Sequence, residues 1–418
     1  MSQERSPNKR TTGRLIATLL AGSCRGSSAA PNLSAAELAQ IAPLLMRSGA
    51  GATAWWQIRE TDLAESDAGA GLRQVYRLDR LRAALHVQKI KRFISLFRDA
   101  GIEPVLIKGW AVARAYPERG LRHYRDVDLC VAPDRYQAAN ELLESLGDER
   151  VYVDLHDGLR KFDTPRKSDG RQQAFRVQAL ACRLGLIKDP TKVGTLNTCS
   201  WNEIFQRSQL VQLDDVEVRV LSAADHLRVL CLHWLRDGAW RPSGLCDIAI
   251  ALESRPADFD WQSCLGADSK QADWIACALG LAQHLLGARI DDTPVAARAS
   301  NLPRWLLPAV MRQWDRCLGS DDVQMILPEL FKNLFRPAAL WRELYPRWDR
   351  PLLATVSVNG PFNNLPRLPY QLLDLVLRFA KLPAQLAYML RKSLRVWSLG
   401  SRVMTKSRDS QLETLELS

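Results

Sequence analysis

The 418-residue chain lacks most of the signatures by which a sequence declares a common chemistry. Its nine cysteines are an odd number and none falls in a Cys-x-x-Cys pair. That argues against a disulfide framework and for a reducing compartment. Cys130 and Cys231 lie in apolar runs and read as buried thiols. No run reaches the ~18 uncharged apolar residues of a spanning helix. The nearest, Trp274 to Ala288, is too short and contains His284. Arg10 and Arg14 precede an apolar stretch, Leu15 to Gly22, that is too brief for an export signal. A cytoplasmic protein is therefore expected. There is no Walker A sequence and no serine nucleophile elbow. Gly69-Ala70-Gly71 lacks the third glycine and the preceding strand of a dinucleotide fingerprint. His233 lies near Cys231 and Asp237, but no ligand quartet with zinc spacing exists.

What is present is ordinary in amount. Hydrophobic residues make up 47% and charged residues 25%, as in a globular protein. The length allows two or three domains of roughly 100–200 residues. Lys and Arg number 57 against 46 acids, a net charge of +11 that favours anionic partners without naming one. No aromatic-and-basic stripe accompanies the charge, so nucleic acid is the weakest of these partners.

The informative stretch runs from Val105 to Val131. Val105-Leu106-Ile107-Lys108-Gly109 reads as a strand ending in a glycine turn that opens a short helix, Trp110 to Tyr116. That is the usual way to bring backbone N–H groups against a phosphate. Asp126-Val127-Asp128-Leu129-Cys130-Val131 then reads as a strand. Residues i and i+2 share a face, so Asp126 and Asp128 project together, away from Val127, Leu129 and Val131. Two carboxylates so placed form a hard-cation site, and Mg²⁺ is commonly held by one or two carboxylates plus substrate phosphates.

Helices precede this stretch. Ser34-x-x-Glu37 is a capping box opening a helix to about Arg47. A long helix is expected from Leu72 to Ala100. Leu78, Leu81 and Leu85, then Ile90, Phe93, Ile94 and Phe97, give it helical spacing, and Gly101 ends it. After the motif come a helix from Asp134 to Leu146 and a strand from Val151 to His156. A polar, basic segment spans Lys161 to Thr198. Then follow a helix over Trp201–Arg207 and a last strand over Val216–Leu221. Ser222 caps the first of a second helical series: Leu245 to Leu252, Ala272 to Leu286, Trp305 to Leu318 and Val323 to Leu334. In the tail, Leu386, Leu390, Leu394 and Trp397 form an apolar stripe beside Arg391, Lys392 and Arg395. It suits docking on the protein's own core or lying on an anionic membrane.

Leu106-Ile107-Lys108-Gly109, Gly120-Leu121-Arg122 and Asp126-Val127-Asp128-Leu129 together resemble the uncharacterised nucleotidyltransferase family of the polymerase-β-like superfamily. The family's later acidic-Leu-His segment has its counterpart in Asp154-Leu155-His156. His233 and Asp247 match family positions on the helices that follow. The resemblance spans roughly Leu72 to Leu318. It implies an α+β fold: a small mixed β-sheet nucleotidyltransferase core flanked by N-terminal helices and a C-terminal helical domain. The expected division is an N-terminal helical region over 1–100, the core over 101–221, the helical domain over 222–345 and the basic amphipathic tail over 346–418.

The resemblance also implies an activity. Asp126, Asp128 and Asp154 would be the catalytic carboxylates and Mg²⁺ ligands, Asp154 facing the pair from a neighbouring strand, with Asp157 as a fallback. Tyr152, Asp154 and His156 are expected on one strand face, His156 in a structural or orienting role. Lys108, Gly109 and Arg122 would bind the nucleotide, Arg122 at the β- or γ-phosphate. Two departures stand out. Trp110 replaces a small turn residue and threatens to crowd a triphosphate. Arg125 stands where a small residue is usual, close enough to compete for the Asp pair. Asp247 is expected to pack against His233 or a basic residue. The implied reaction moves a nucleoside monophosphate from an NTP to a glycan, small-molecule or peptide acceptor. The alternative is a catalytically silent nucleotide-binding scaffold or regulator with a basic tail for a membrane or partner.

Overall fold

The computed structural model describes residues 10–23, 30–159, 201–316 and 350–377. The segment from Lys161 to Thr198, the helix expected at Val323 to Leu334 and the stripe from Leu386 to Trp397 lie outside these residues. Residues 1–165 and 194–371 form one unit; 166–193 and 372–418 form another.

Local chemistry starts the helices where the sequence places the signals. Helix α1 spans Thr12–Leu20 and α2 spans Ala35–Arg47. At α2 the capping box is complete. Ser34 Oγ accepts from the Glu37 N–H at 3.2 Å, and Glu37 Oε2 accepts from the Ser34 N–H at 2.9 Å. Helix α3 is Gly51–Ile58 and α4 is Asp67–Asp99, capped by Ser66 at the Gly69 N–H. Gly69, half of the failed dinucleotide signature, has a packing role instead. A Cβ there would stand 2.2 Å from the carbonyl oxygen of Leu63.

Five strands form one sheet in the order β3-β2-β1-β5-β4. They are β1 Val105–Ile107, β2 Val127–Val131, β3 Val153–Asp157, β4 Gln209–Leu213 and β5 Val216–Val220. β1 pairs antiparallel with β2 and parallel with β5; β2 pairs parallel with β3; β4 and β5 are antiparallel. The fold is thus α+β with a small mixed sheet, as expected. β4 was not foreseen. Its residues alternate only weakly and it is the largely exposed edge of a hairpin.

Several boundaries move for identifiable reasons. β1 starts at Val105, directly after Pro104, which has no N–H to give a ladder. Helix α5 is only Gly109–Ala113 rather than reaching Tyr116. Pro117 follows, and the residue before a proline is disfavoured in helical geometry. Helix α6 is Tyr136–Glu144, preceded by a 3-10 turn over Pro133–Arg135. Tyr152 ends another 3-10 turn, Gly147–Tyr152, so it does not share the β3 face with Asp154 and His156. Its ring instead receives the Lys89 ammonium, 3.1 Å from the centroid.

One face of the sheet packs Val127, Leu129 and Val131 against Ile90, Phe93, Ile94 and Phe97 of α4 and Ala139 and Leu143 of α6. The other face carries Val105, Ile107 and Cys130. It packs against Ile204 of α7, Trp201–Arg207, and Val229 of α8, Ala223–Arg236. The remaining helices are α9 Pro242–Glu253, α10 Trp261–Leu265, α11 Ser269–Leu286, α12 Ala296–Ser300, α13 Leu306–Arg316 and α14 Pro351–Ser357. They share a single core with α1, α2, α3 and the start of α4. The run from Trp274 belongs to this core as part of α11. Among the described residues no helix is long and apolar enough to cross a membrane.

The apolar stripe of α4 divides in two. Ile90, Phe93, Ile94 and Phe97 are buried, but Leu81 and Leu85 are each 65% exposed and Leu78 40%. The reason lies in the 3-10 turn Arg119–Leu121. Gly120 lets this turn sit on the α4 backbone, since a Cβ there would be 2.9 Å from Arg80 Cα. The middle of α4 therefore turns Asp79 and His86 inward. Phe93→Ala should cost about 3–5 kcal/mol through the cavity it leaves, whereas Leu81→Ala should stay within about 0.5 kcal/mol. Urea midpoints compare the two; equal losses would contradict this division of α4.

Candidate active site

Register builds the site. Ile107 of β1 pairs with Asp128 of β2, and Asp128 pairs with Asp154 of β3. Asp128 lies on the sheet face of Cys130, opposite Val127 and Leu129, as the alternation requires. Asp128 is buried, Asp154 half-buried, and Asp126, just before β2, exposed at the rim. The Lys108 Nζ comes from the end of β1 and lies 2.7 Å from Asp128 Oδ1. His156 Nε2 lies 3.2 Å from Asp128 Oδ1 and 3.3 Å from Asp154 Oδ2.

The electrostatics follow from these contacts. Burial alone would raise the pKa of Asp128. The Lys108 ammonium, with the His156 hydrogen bond, outweighs it and holds the carboxyl well below the usual range. Asp126 behaves oppositely. Although the residue reaches solvent, desolvation by its neighbours and then the negative charge of Asp128 raise its pKa, with Lys108 acting against them. A cation arriving between these groups would relieve that repulsion.

The Lys108 backbone is held as firmly as its side chain. Its φ is +49° and that of Gly109 is +35°. A non-glycine residue with positive φ is strained, typically by about 1–3 kcal/mol. The Lys108 N–H donates to His226 Nε2 of α8 at 3.2 Å, which fixes the turn. His226 therefore accepts through Nε2 as a neutral ring. Burial, then the charges of Arg114, Arg122 and Lys108, lower its pKa to about 3, with Asp128 acting against them.

A second ion pair ties the approach to β2 onto α9. Arg122 Nε lies 2.9 Å from Asp247 Oδ1 and Nη2 lies 2.9 Å from Oδ2. The Tyr116 hydroxyl donates to Asp247 Oδ1 at 2.7 Å. Burial opposes the Arg122 charge, but Asp247 more than offsets it and the guanidinium pKa is raised. Burial, then Asp247, pushes the Tyr116 phenol well up.

Asp128, Asp154 and His156 offer ligand atoms that all lie within 4.8 Å of one another. Among the described residues this is the group that could hold a metal ion. The family model described as uncharacterised nucleotidyltransferase matches residues 34–287. This chain belongs to that family. No curated protein and no solved structure matches the chain. The matched span includes every residue placed in the site above, so the protein is a transferase of the nucleotidyltransferase class.

The nucleotidyltransferase brings together Lys108, Asp128 and Asp154, with Asp126 at the rim. Gly109 forms the turn, its Cα facing the backbone of Asp126. Arg122 is engaged by Asp247, the basic partner expected of that aspartate. Two sequence-based expectations are corrected. Trp110 does not crowd the site; it is 2% exposed within the core beneath the sheet. Arg125 does not compete for the Asp pair. It points to solvent and its Nε donates to His123 Nε2 at 3.1 Å. His123 in turn contacts Asp79 of α4 at 2.9 Å, which draws that loop away from the carboxylates. His233 lies 3.7 Å from Asp237, one helical turn on. His226 was missed, although it lies seven residues before His233 on the same helix. Tyr116 was missed too; nothing in sequence separates it from an ordinary helix-end tyrosine.

Two outcomes test this geometry. Asp247→Ala leaves a buried Arg122 without its carboxylate and should cost about 3–5 kcal/mol in urea unfolding; a loss under about 1 kcal/mol would mean the pair is not buried as described. His226 gives a pH signature. Unfolded, it binds a proton below about pH 6.5; folded, it refuses one until about pH 3. Its contribution is therefore complete above pH 6.5 and is lost as the pH falls toward 3. His226→Gln should show a shallower loss of stability between pH 7 and pH 4 than wild type. Parallel curves would show that His226 is not held neutral.

Proposed function

We propose that this transferase moves a nucleoside monophosphate from an NTP to an acceptor hydroxyl or amine, with Mg²⁺ held by Asp126, Asp128 and Asp154. The observation that carries the reading is the in-register pairing of Asp128 with Asp154, with the Lys108 ammonium on Asp128. His156 Nε2 sits between the two carboxylates, so it serves as a hydrogen donor that orients them rather than as a lone-pair ligand. The donors left for a cation are carboxylate oxygens. Asp128 Oδ2 takes no part in the Lys108 and His156 contacts. An all-oxygen set suits a hard cation completed by water and phosphate. When bound, the cation would neutralise charge on the phosphates and leaving pyrophosphate.

The chain's own residues supply the rest. Lys108 would carry a point charge to the phosphates once a cation takes its place at Asp128. Gly109 leaves the turn open for their approach. Arg122 keeps Nη1 outside the Asp247 pair, facing the β- or γ-phosphate in this reading. Asp154, half-buried and beside Asp128, would accept the acceptor's proton. The acceptor is a glycan, small molecule or peptide, and the protein acts in the cytoplasm. The Lys108–Asp128 pair also favours a second reading: a scaffold that binds nucleotide without turnover, its carboxylate already satisfied.

Calorimetry with the four NTPs, with and without Mg²⁺, tests the site in wild type and in the Asp126→Asn/Asp128→Asn variant. Mg²⁺-dependent binding should fall at least tenfold in the variant. Binding that ignores the variant would move the site elsewhere. Pyrophosphate release by wild type separates transfer from the scaffold.

A further inference from the structure

A cavity of about 290 Å³ lies behind the Lys108–Gly109 turn, between α5, α8 and α9. Short apolar side chains line it, among them Ala111, Ala223 and Ala251. Three polar residues interrupt them: Arg114, His226 and Ser254. Ser254 spends its hydroxyl hydrogen on the Ile250 carbonyl at 2.8 Å. The other two keep donors to spare.

Arg114 uses Nε on the Ala111 carbonyl at 3.2 Å. Among the described residues no carboxylate lies within ion-pair distance of it. Elsewhere the fold pairs such groups closely: Arg122 with Asp247, Arg207 with Asp225, Arg98 with Glu103. Arg114 reaches solvent at the mouth of the cavity, and desolvation by its neighbours lowers its pKa with no anion beside it to offset this. His226 is 8% exposed. Its Nε2 accepts the Lys108 N–H, so its ring hydrogen sits on Nδ1. No described residue accepts from that Nδ1. The cavity therefore holds a cation and a neutral N–H donor, with no acidic side chain in its lining.

We propose that this cavity is an oxyanion-binding site, taking a carboxylate or phosphate group on the Arg114 guanidinium and the His226 Nδ1–H. Arginine's planar fork matches either group. The volume lies at the small end of ligand pockets, which admits the anionic group with a short substituent and not a whole nucleotide. The binding site stands independently of nucleotidyl transfer. Its link to catalysis rests on that reading. An anion on Nδ1–H makes Nε2 a better acceptor, and Nε2 holds the Lys108 turn. An acidic group on the acceptor, or a free anion, would thus be sensed at Lys108.

Inorganic phosphate and acetate, titrated separately into the full chain without Mg²⁺, test the inference by calorimetry. Wild type and Asp128→Asn should bind at least one of them equally, in the millimolar range or tighter. Arg114→Gln should weaken that binding at least tenfold. Ala115→Glu, placing a carboxylate at the cavity wall, should do the same. Arg114 makes only a local contact and Ala115 is exposed, so neither change touches the core. A preference for phosphate identifies a tetrahedral group, and one for acetate a planar carboxylate. The proposal is overturned if neither anion binds, if Arg114→Gln binds as tightly as wild type, or if Asp128→Asn abolishes binding. The last result would mean that binding depends on the Lys108–Asp128 pair and not on the cavity.

Discussion

Everything at the centre of this protein depends on one buried ion pair, Lys108 with Asp128. Neither partner is cheap to place there. The side chains are 10% and 7% exposed, so both charges have lost most of their water. Lys108 also carries a positive φ that its Cβ resists. A pair of this kind persists only where other groups satisfy what remains of each partner. His156 does so for the carboxylate, from β3. His226 does so for the backbone of the lysine, from α8. Without His226 the strained turn loses its anchor, and without His156 the carboxylate is under-bonded. The short strands exist to bring these groups together, since their register puts Ile107, Asp128 and Asp154 side by side.

That dependence explains why the sheet cannot be considered apart from the helices that follow it. His226 belongs to α8, and Asp247 to α9. Both helices are anchored in the core they share with α1, α2 and α3. Arg122 and Tyr116, on either side of the 3-10 turn before β2, meet at Asp247. This fastener sets the path by which the chain enters β2, and hence where Asp126 and Asp128 begin. The family match from residue 34 to residue 287 covers these elements apart from α1. The N-terminal helices, sheet and second helical series thus meet in the geometry of one turn.

The sequence made much of this legible, because its strongest signals are local. Alternation placed β2 within a residue of its observed start, and Ser34 and Ser222 are caps whose hydrogen bonds form within one turn. The Asp126/Asp128 pair could be read from alternation, while Lys108 and Asp154 came through the family resemblance. What could not be read depends on contacts distant in sequence. His226 lies 118 residues from Lys108, and Asp247 lies 125 from Arg122. Leu78, Leu81 and Leu85 keep perfect helical spacing yet stay outside. Gly120 brings a turn onto the α4 backbone, and periodicity does not encode which neighbour arrives. Trp110 was misjudged because its position in a turn suggested the surface. The short helix it opens rolls it into the core.

Asp126, Asp128 and Asp154 face a single lysine, and the raised pKa of Asp126 reflects desolvation by its neighbours and then the repulsion from Asp128. On the proposed function, a triphosphate adds more negative charge to an already negative cluster. It can be accommodated only if a cation enters with it. A divalent ion between Asp128 and Asp154 would take over the task that the Lys108 ammonium performs on Asp128. That would free the ammonium for the phosphates, while His226 keeps the turn from relaxing. On that reading Lys108 would be a placeholder and then a phosphate ligand. An arginine there would be a poorer choice. Its broad planar fork would hold the carboxylate bidentately and yield it less readily than a compact ammonium does.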